Sequence, residues 1–270
     1  MNNYYSKSFP FIIKAITNIH VGSGGSIESG VDLPFQRDEL GFPTIYASSL
    51  KGSFKSHLLK VISDNWLVKK GLGFEEGDEE EEASNIGFLD ALLLGIPARY
   101  IGDGSDRYWV YVTAESIKEK LCNYLKALSE ISDVTEEDVC KNSTTNNNAT
   151  PVILNEEYVT DYSKIVFEGY EIYVLKDLIA KAIIEKSMIK ARRIKIDRTT
   201  KTVVRGGLWT EEYAPSNTLF FSAFLVKPDR PSNHLSYMIY KKVNYLIIGG
   251  KETIGKGIGE IIWIPRTVIS

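Results

Sequence analysis

The sequence predicts an α+β fold: one ferredoxin-like or RRM-like core carrying large insertions, among them a long β-hairpin. Three observations lead there. A strand signal followed by an amphipathic helix opens the chain, and a helix followed by a buried strand closes it. Further strand and helix patterns lie between, as excursions from such a core. No linker divides the 270 residues, so a single domain over residues 1–270 is expected, with insertions at about 71–85, 115–190 and 191–216.

Residues 9–19 are rich in Ile and Phe and alternate imperfectly between apolar and polar, which suits a first strand ending at Gly22 and Gly24. A loop follows, through the Gly-Phe-Pro of residues 41–43. Leu50, Phe54, Leu58 and Ile62 then recur at four-residue steps behind Ser48 or Ser49 as N-cap. Residues 49–62 therefore read as a helix, with Lys51 and Lys55 on a neighbouring face. After an acidic loop at 71–85, residues 88–100 and 108–112 read as a hairpin around Gly102-Asp103-Gly104. Ile117, Leu121, Tyr124, Leu128 and Ile131 mark a helix over 115–131, and residues 142–150 a polar loop. A helix over 177–190 leads into two β-branched arms around a polar turn, a basic hairpin over 192–205. A strand at 218–226, a helix at 232–246 and a buried strand at 258–264 complete the chain.

With 43% hydrophobic and 25% charged residues, disorder throughout is excluded. Residues 1–10 lack the features of a signal or transit peptide, and no apolar run approaches the roughly 18 residues of a membrane span. A soluble, cytoplasmic protein without a membrane partner is expected. Cys122 and Cys140 are too few for a disulfide framework or a four-thiolate zinc site, and three histidines exclude a His-rich cluster. Any metal must be held by oxygen. The net charge of −3 conceals a strong segregation: residues 75–82 carry −7, so the rest of the chain carries +4. Residues 190–205 hold seven bases against Asp197 alone, the footprint of a nucleic-acid contact or, on charge alone, of a solvated hairpin.

Residues 250–257 match the phosphate-loop pattern except that Gly257 stands where the Mg²⁺-binding hydroxyl belongs, and a strand rather than a helix follows. Both departures argue against an NTPase. A glycine turn that brings Lys256 to nucleic acid, or a plain tight turn, remains. The glycines after His20 let backbone approach a sugar-phosphate chain, unless they form an ordinary surface turn. Without an RNP1-like aromatic run, base stacking on an RRM sheet is not supported. Asp32, between Gly30-Val31 and Leu33-Pro34, is the sharpest candidate. Its ordinary pKa of about 3.9 makes it a feeble base; it is better suited to hold a divalent cation or orient a ribose hydroxyl. A turn-capping Asp is the structural alternative, and His20 is either a proton carrier or a structural histidine.

Four blocks carry a resemblance: residues 20–24 and 29–38 with the Ser-Leu-Lys-Gly of 49–52; Asp90-Ala91 with 97–99 and 111–113; residues 206–216; and residues 248–257. Together they resemble the RAMP superfamily, specifically the backbone subunit of type III-B (Cmr) CRISPR effector complexes. The acidic run 75–82 and the segment 142–150 diverge. The resemblance implies a filament of copies along the CRISPR RNA, with other Cmr subunits, in which each copy's thumb hairpin, 192–205 here, interrupts the guide–target duplex. It also implies metal-dependent (Mg²⁺ or Mn²⁺) cutting of target RNA to 2′,3′-cyclic phosphate and 5′-OH ends, with no organic cofactor. Asp32 maps onto the cleaving aspartate, where it would also meet a metal through the RNA phosphate. Lys51 maps onto the RNA-binding lysine, and His20, Glu211 and Tyr213 are possible catalytic support. Lys55, Arg37, Arg192, Arg193, Arg198, Lys201, Arg205 and Lys256 are the further RNA-binding candidates. Two alternatives stand: a guide-holding subunit without nuclease activity, which would not need Asp32, and a repeat-processing endonuclease, against which the thumb and aspartate blocks argue.

Overall fold

Phe9, Phe11, Ile12 and Ile13 are buried although successive side chains point to opposite faces, so β1 (Lys7–Ala15) runs inside a sheet covered on both sides. The computed structural model describes residues 4–24, 31–75, 77–78, 83–102, 104, 106–131, 140, 144–145 and 150–264. The first strand ends before residue 19, because Ile16 and Thr17 turn their amides to the Ile258 carbonyl. After β2 (Thr44–Ile45), α1 (Ala47–Val61) buries Leu50, Phe54 and Leu58 as their spacing predicts. Neither Ser48 nor Ser49 caps it. The N-cap is Tyr46, and the Ala47 amide donates to the Asp90 carboxylate at 2.6 Å. A second helix, α2 (Asn65–Leu72), is capped by Asp64, which accepts from the Leu67 amide at 2.9 Å. It takes in the first residues of the expected acidic loop and is too short for its period to stand out in the sequence.

Next come β3 (Ile86–Phe88), β4 (Ala91–Ile101) and β5 (Trp109–Ala114), the last two paired as the expected hairpin; Asp103 of its turn lies outside the described residues. The insertion expected to be helical through residue 190 begins with α3 (Glu115–Ser129) but is largely β. It contains β6 (Thr144–Thr145), β7 (Val152–Leu154), β8 (Glu157–Val159), β9 (Tyr162–Phe167) and β10 (Tyr170–Leu175) before α4 (Asp177–Ser187). Most of the polar loop expected at 142–150 lies outside the described residues, and Thr144–Thr145 pairs with β9. β9 and β10 turn at Glu168 and Gly169, whose φ of 47° and 80° are the two positive values a tight hairpin takes. Cys122 and Cys140, too few for a framework, do form one disulfide, with Cα atoms 5.7 Å apart.

β11 (Ile189–Ile196) and β12 (Val203–Tyr213) form the basic hairpin, longer at both ends than its sequence pattern indicates. The preceding helix stops short of residue 190 because Ile189 already pairs with Tyr213. Then follow β13 (Leu219–Val226), α5 (Arg230–Lys242), β14 (Tyr245–Ile247) and β15 (Ile258–Trp263). The last helix was expected to reach residue 246, but Leu246 pairs with Gly259 in the sheet instead.

Among the described residues thirteen strands share one sheet, nine along the path β14-β15-β1-β13-β4-β5-β10-β9-β6 with β2, β3, β7 and β8 paired off it, and β11-β12 stand apart as a two-stranded sheet. The fold is thus α+β. In the middle of the sheet β15, β1, β13 and β4 are antiparallel neighbours. Helices α1 and α2 lie in the connection from β1 to β4, and α5 in that from β13 to β15. Phe54 of α1 packs on Phe11 and Phe88, with ring centroids 5.6 and 5.0 Å apart. Among the described residues no helix is long and apolar enough to cross a membrane.

Because Phe54 is fully buried between α1 and the sheet, Phe54→Ala is expected to lower stability by about 3–5 kcal/mol. Urea denaturation reads this as a lower midpoint, and an unchanged midpoint would remove Phe54 from the core.

Candidate functional site

Residues Thr210, Glu211, Glu212 and Tyr213, at the foot of the hairpin, gather the candidate site residues. Period-2 alternation sends the Glu211 and Tyr213 side chains to one face of β12 and Glu212 to the other. The segment after residue 30 lies alongside as an added strand: Leu33 donates to the Thr210 carbonyl at 3.0 Å, and Glu212 donates to the Leu33 carbonyl at 3.1 Å. This seats Asp32, whose Oδ2 accepts the Thr210 amide at 2.7 Å while the residue stays exposed. The carboxylate is therefore anchored through one oxygen and open to a ligand.

His20 is buried, and its Nδ1 lies 2.6 Å from the Glu212 carbonyl. A carbonyl only accepts, so Nδ1 is the nitrogen that donates to it. Its ring leans on Tyr213, with centroids 5.4 Å apart. Its backbone bridges Gly249, where φ is 75° and an added Cβ would lie 2.0 Å from the His20 carbonyl oxygen. Only glycine fits there.

Glu211 is 1% exposed and surrounded by donors. Lys251 Nζ reaches it at 2.6 Å, Trp209 Nε1 at 2.7 Å and Arg193 Nε at 3.1 Å, and the Tyr213 hydroxyl also donates to it. Burial pushes this carboxyl up, but Lys251, Tyr213, Trp209 and Arg193 together outweigh burial and hold it at about 2. Glu212, on the opposite face, accepts from the Phe35 amide and from Arg37 Nη2, both at 3.0 Å. Arg37 Nη2 also pairs with Glu185 of α4 at 3.0 Å, so that nitrogen is engaged within the protein.

The remaining bases divide between two surfaces. On the hairpin Arg192, Arg198, Lys201 and Arg205 are exposed, while Arg193 is half-buried against Glu211 and Tyr213. The hairpin is not uniformly polar, since Ile194, Ile196, Val203 and Leu208 are each more than half exposed. Lys256 lies 5.8 Å from the centre of the Tyr213 ring. On α1, Ser49, Gly52, Ser53, Ser56, His57 and Lys60 share one face and, with Gly249, Gly250, Lys251 and Glu252, line a groove of about 520 Å³. Lys51 and Lys55 do not line it; they face the start of the acidic segment instead. Burial, then the nearby Lys60, hold His57 below the ordinary histidine range. His57, Lys60, Glu212 and Lys251 were missed by sequence reasoning, because only the docking of the glycine turn on α1 and β12 gives them a common purpose. Among the described residues no three His, Cys, Asp or Glu side chains gather as a metal centre.

A hairpin thumb on an α+β sheet, an anchored aspartate at its foot and a glycine turn against α1 define a class of nucleic-acid-handling proteins. The chain belongs to the RAMP superfamily, whose family description matches residues 12–260. It is 42% identical to the CRISPR system CMR subunit Cmr4 of Saccharolobus solfataricus over 97% of this chain and 98% of that one. With the CRISPR system Cmr endoribonuclease Cmr4 of Pyrococcus furiosus it shares 30% identity, over 94% and 95% of the two chains. Among solved structures it is similar to a chain of the type III-B Cmr-β complex bound to cognate target RNA, with a TM-score of 0.85 and 43% identity over 96% and 98% of the two chains.

A carboxyl lowered on folding stabilises the fold fully above its unfolded value, and the contribution is lost as pH falls through the folded value. For Glu211 that window runs from 4.5 down to about 2, a contribution on the order of 3 kcal/mol. Lys251→Met is expected to raise the Glu211 pKa and move the loss of stability to higher pH, read from urea midpoints across an acid series. A pH profile superimposable on the parent's would show that Lys251 does not hold this carboxylate.

Proposed function

We propose that this chain is the backbone subunit of a type III-B CRISPR ribonucleoprotein and cuts target RNA within it. It binds CRISPR RNA and complementary target RNA together with other copies of itself and the other Cmr subunits, and it works in the cytoplasm. The observation that carries the reading is the seat of Asp32, an exposed carboxylate fixed by the Thr210 amide at the foot of a basic hairpin. The antiparallel order β15-β1-β13-β4, with helices in both crossovers, supports a ferredoxin-like core for it.

Cutting proceeds by attack of a ribose 2′-oxygen on the adjacent phosphorus with departure of the 5′-oxygen, leaving 2′,3′-cyclic phosphate and 5′-OH ends. The hairpin splays the nucleotide so that attacking and leaving oxygens align, and most of the rate enhancement comes from that positioning. Asp32 orients the 2′-hydroxyl, His20 supports it as a proton carrier, and the proton that the 2′-oxygen loses is balanced by the one that the departing 5′-oxygen takes up through water. Glu211 and Tyr213 act one step removed, holding the strand on which Asp32 is anchored. The exposed hairpin bases, Lys51 and Lys256 meet the phosphates. One carboxylate is too few protein ligands to hold Mg²⁺ or Mn²⁺ by itself, so a cation at Asp32 would take the rest of its oxygen shell from RNA phosphates and water. The chemistry it would supply is charge neutralisation at the scissile phosphate.

In a reconstituted complex, Asp32→Ala is expected to leave guide and target binding intact while cleavage falls by about 100-fold or more, as for loss of a group acting in the transition state. Parallel loss of binding and cutting would refute the catalytic assignment. Full cutting in excess chelator would remove the metal from the reading, and a parent complex that binds target without cutting it would favour the guide-holding alternative. Deleting the hairpin tip, residues 197–201, is expected to leave the core assembled while the regularly spaced cuts fade together. Target fragments mapped at nucleotide resolution check this, and an undiminished ladder would mean that the hairpin is not the spacer.

A further inference from the structure

The described acids of the run that diverges from the resemblance, Glu75 and Asp78, lie against lysines of α1 and α2. Gly73, with φ 97° at the end of α2, turns the chain back so that an added Cβ there would lie 3.6 Å from Lys51 Nζ. Two residues on, Glu75 pairs with Lys55 at 2.9 Å, although the Lys55 side chain is only 14% exposed. Asp78 accepts from Lys69 of α2, and its second oxygen accepts the Glu75 amide at 2.6 Å. Lys55, and more weakly Lys69, draw the Glu75 carboxyl below the usual range, while the Glu75 amide, then Lys69 and Lys55, do the same for Asp78, so these four charges form one network.

This arrangement conflicts with RNA on the same surface. A phosphate at Lys51 would stand one helical turn from Lys55, which is already bound to Glu75, and repulsion between like charges acts over about 8 Å at physiological ionic strength. Either RNA never reaches this face or the carboxylates leave it. The asymmetry of the main pair favours departure: Lys55 is nearly covered, whereas the Glu75 side chain is 64% exposed and can swing into water. Such a pair contributes little to stability, so exchanging it for a phosphate is nearly neutral.

We propose that Lys51, Lys55 and Lys69 form one phosphate-binding surface, and that Glu75 and Asp78 occupy it as internal counter-anions until the guide RNA backbone displaces them. The inference rests on the RNA-binding reading of Lys51 and adds Lys69 as a contact and the acidic segment as a competitor. In the RNA-free chain Glu75 and Asp78 screen the lysines against adventitious polyanions; only a strand held by many other contacts exchanges with them.

The test uses the whole chain and a fluorescein-labelled single-stranded RNA of guide length, with anisotropy read across a salt titration. Glu75→Gln with Asp78→Asn keeps the hydrogen-bonding shape and removes both charges. It is expected to tighten binding about threefold to tenfold at low salt and to steepen the salt dependence, because displaced carboxylates no longer take up cations. Adding Lys55→Ala should cancel that gain. Glu75→Gln alone, at an exposed position, should give part of it and guards against a folding defect in the double variant. Unchanged or weaker binding by the charge-neutral variants, with Lys51→Ala still reducing affinity, overturns the inference and leaves the RNA-binding reading standing. Unaltered affinity in Lys51→Ala overturns both.

Discussion

A carboxylate taken out of water must be met by donors or it destabilises the fold by several kcal/mol. Glu211 meets that constraint with donors from three separate places: Arg193 on β11, Trp209 and Tyr213 on its own strand, and Lys251 on the glycine turn that precedes β15. Removing any one leaves the others to neutralise a buried charge. The hairpin foot, the turn and the end of the central sheet are therefore held in one geometry by a single side chain. A hydrophobic cluster could hold these elements together, but it would not specify direction; five groups with fixed hydrogen-bonding geometry do.

The residue beside it performs the complementary task. Because side chains alternate along β12, Glu212 points away from Glu211 and fixes the Phe35 amide and Arg37, while its carbonyl orients His20. Two adjacent acids thus clamp two loops on opposite faces of one strand. Asp32 is held by the backbone amide of Thr210 in the same strand, so its position follows from the clamp rather than from its own packing. This explains how an exposed carboxylate can be well placed: its precision is borrowed from buried neighbours.

Helix α1 has three functions on three faces. Leu50, Phe54 and Leu58 bury it, the serines with His57 and Lys60 line the groove below the glycine turn, and Lys51 with Lys55 faces the acidic segment. A net charge of −3 is compatible with a polyanion partner because the negative charge is concentrated in one run, both of whose described acids are already paired with lysines.

Most of what depends on local pattern was legible in the chain alone. The spacing of Leu50, Phe54 and Leu58, the β-branched arms of the hairpin, the clustering of its bases and the four resemblance blocks indicated the α+β class, the thumb and Asp32. The period of a helix or strand is a short-range property, and these elements obey it. What the sequence could not contain is pairing at long separation. Asp90 capping α1, Lys251 reaching Glu211 across 40 residues, Arg37 committed to Glu212 and Glu185, and the strands β9 and β10 joining the main sheet all depend on which surfaces meet after folding. Residue type and local spacing determined the candidates. Only the tertiary structure decided which of them are open to a ligand and which are already bound to one another, because a charge's partner is set by distance in space and by the water removed between them.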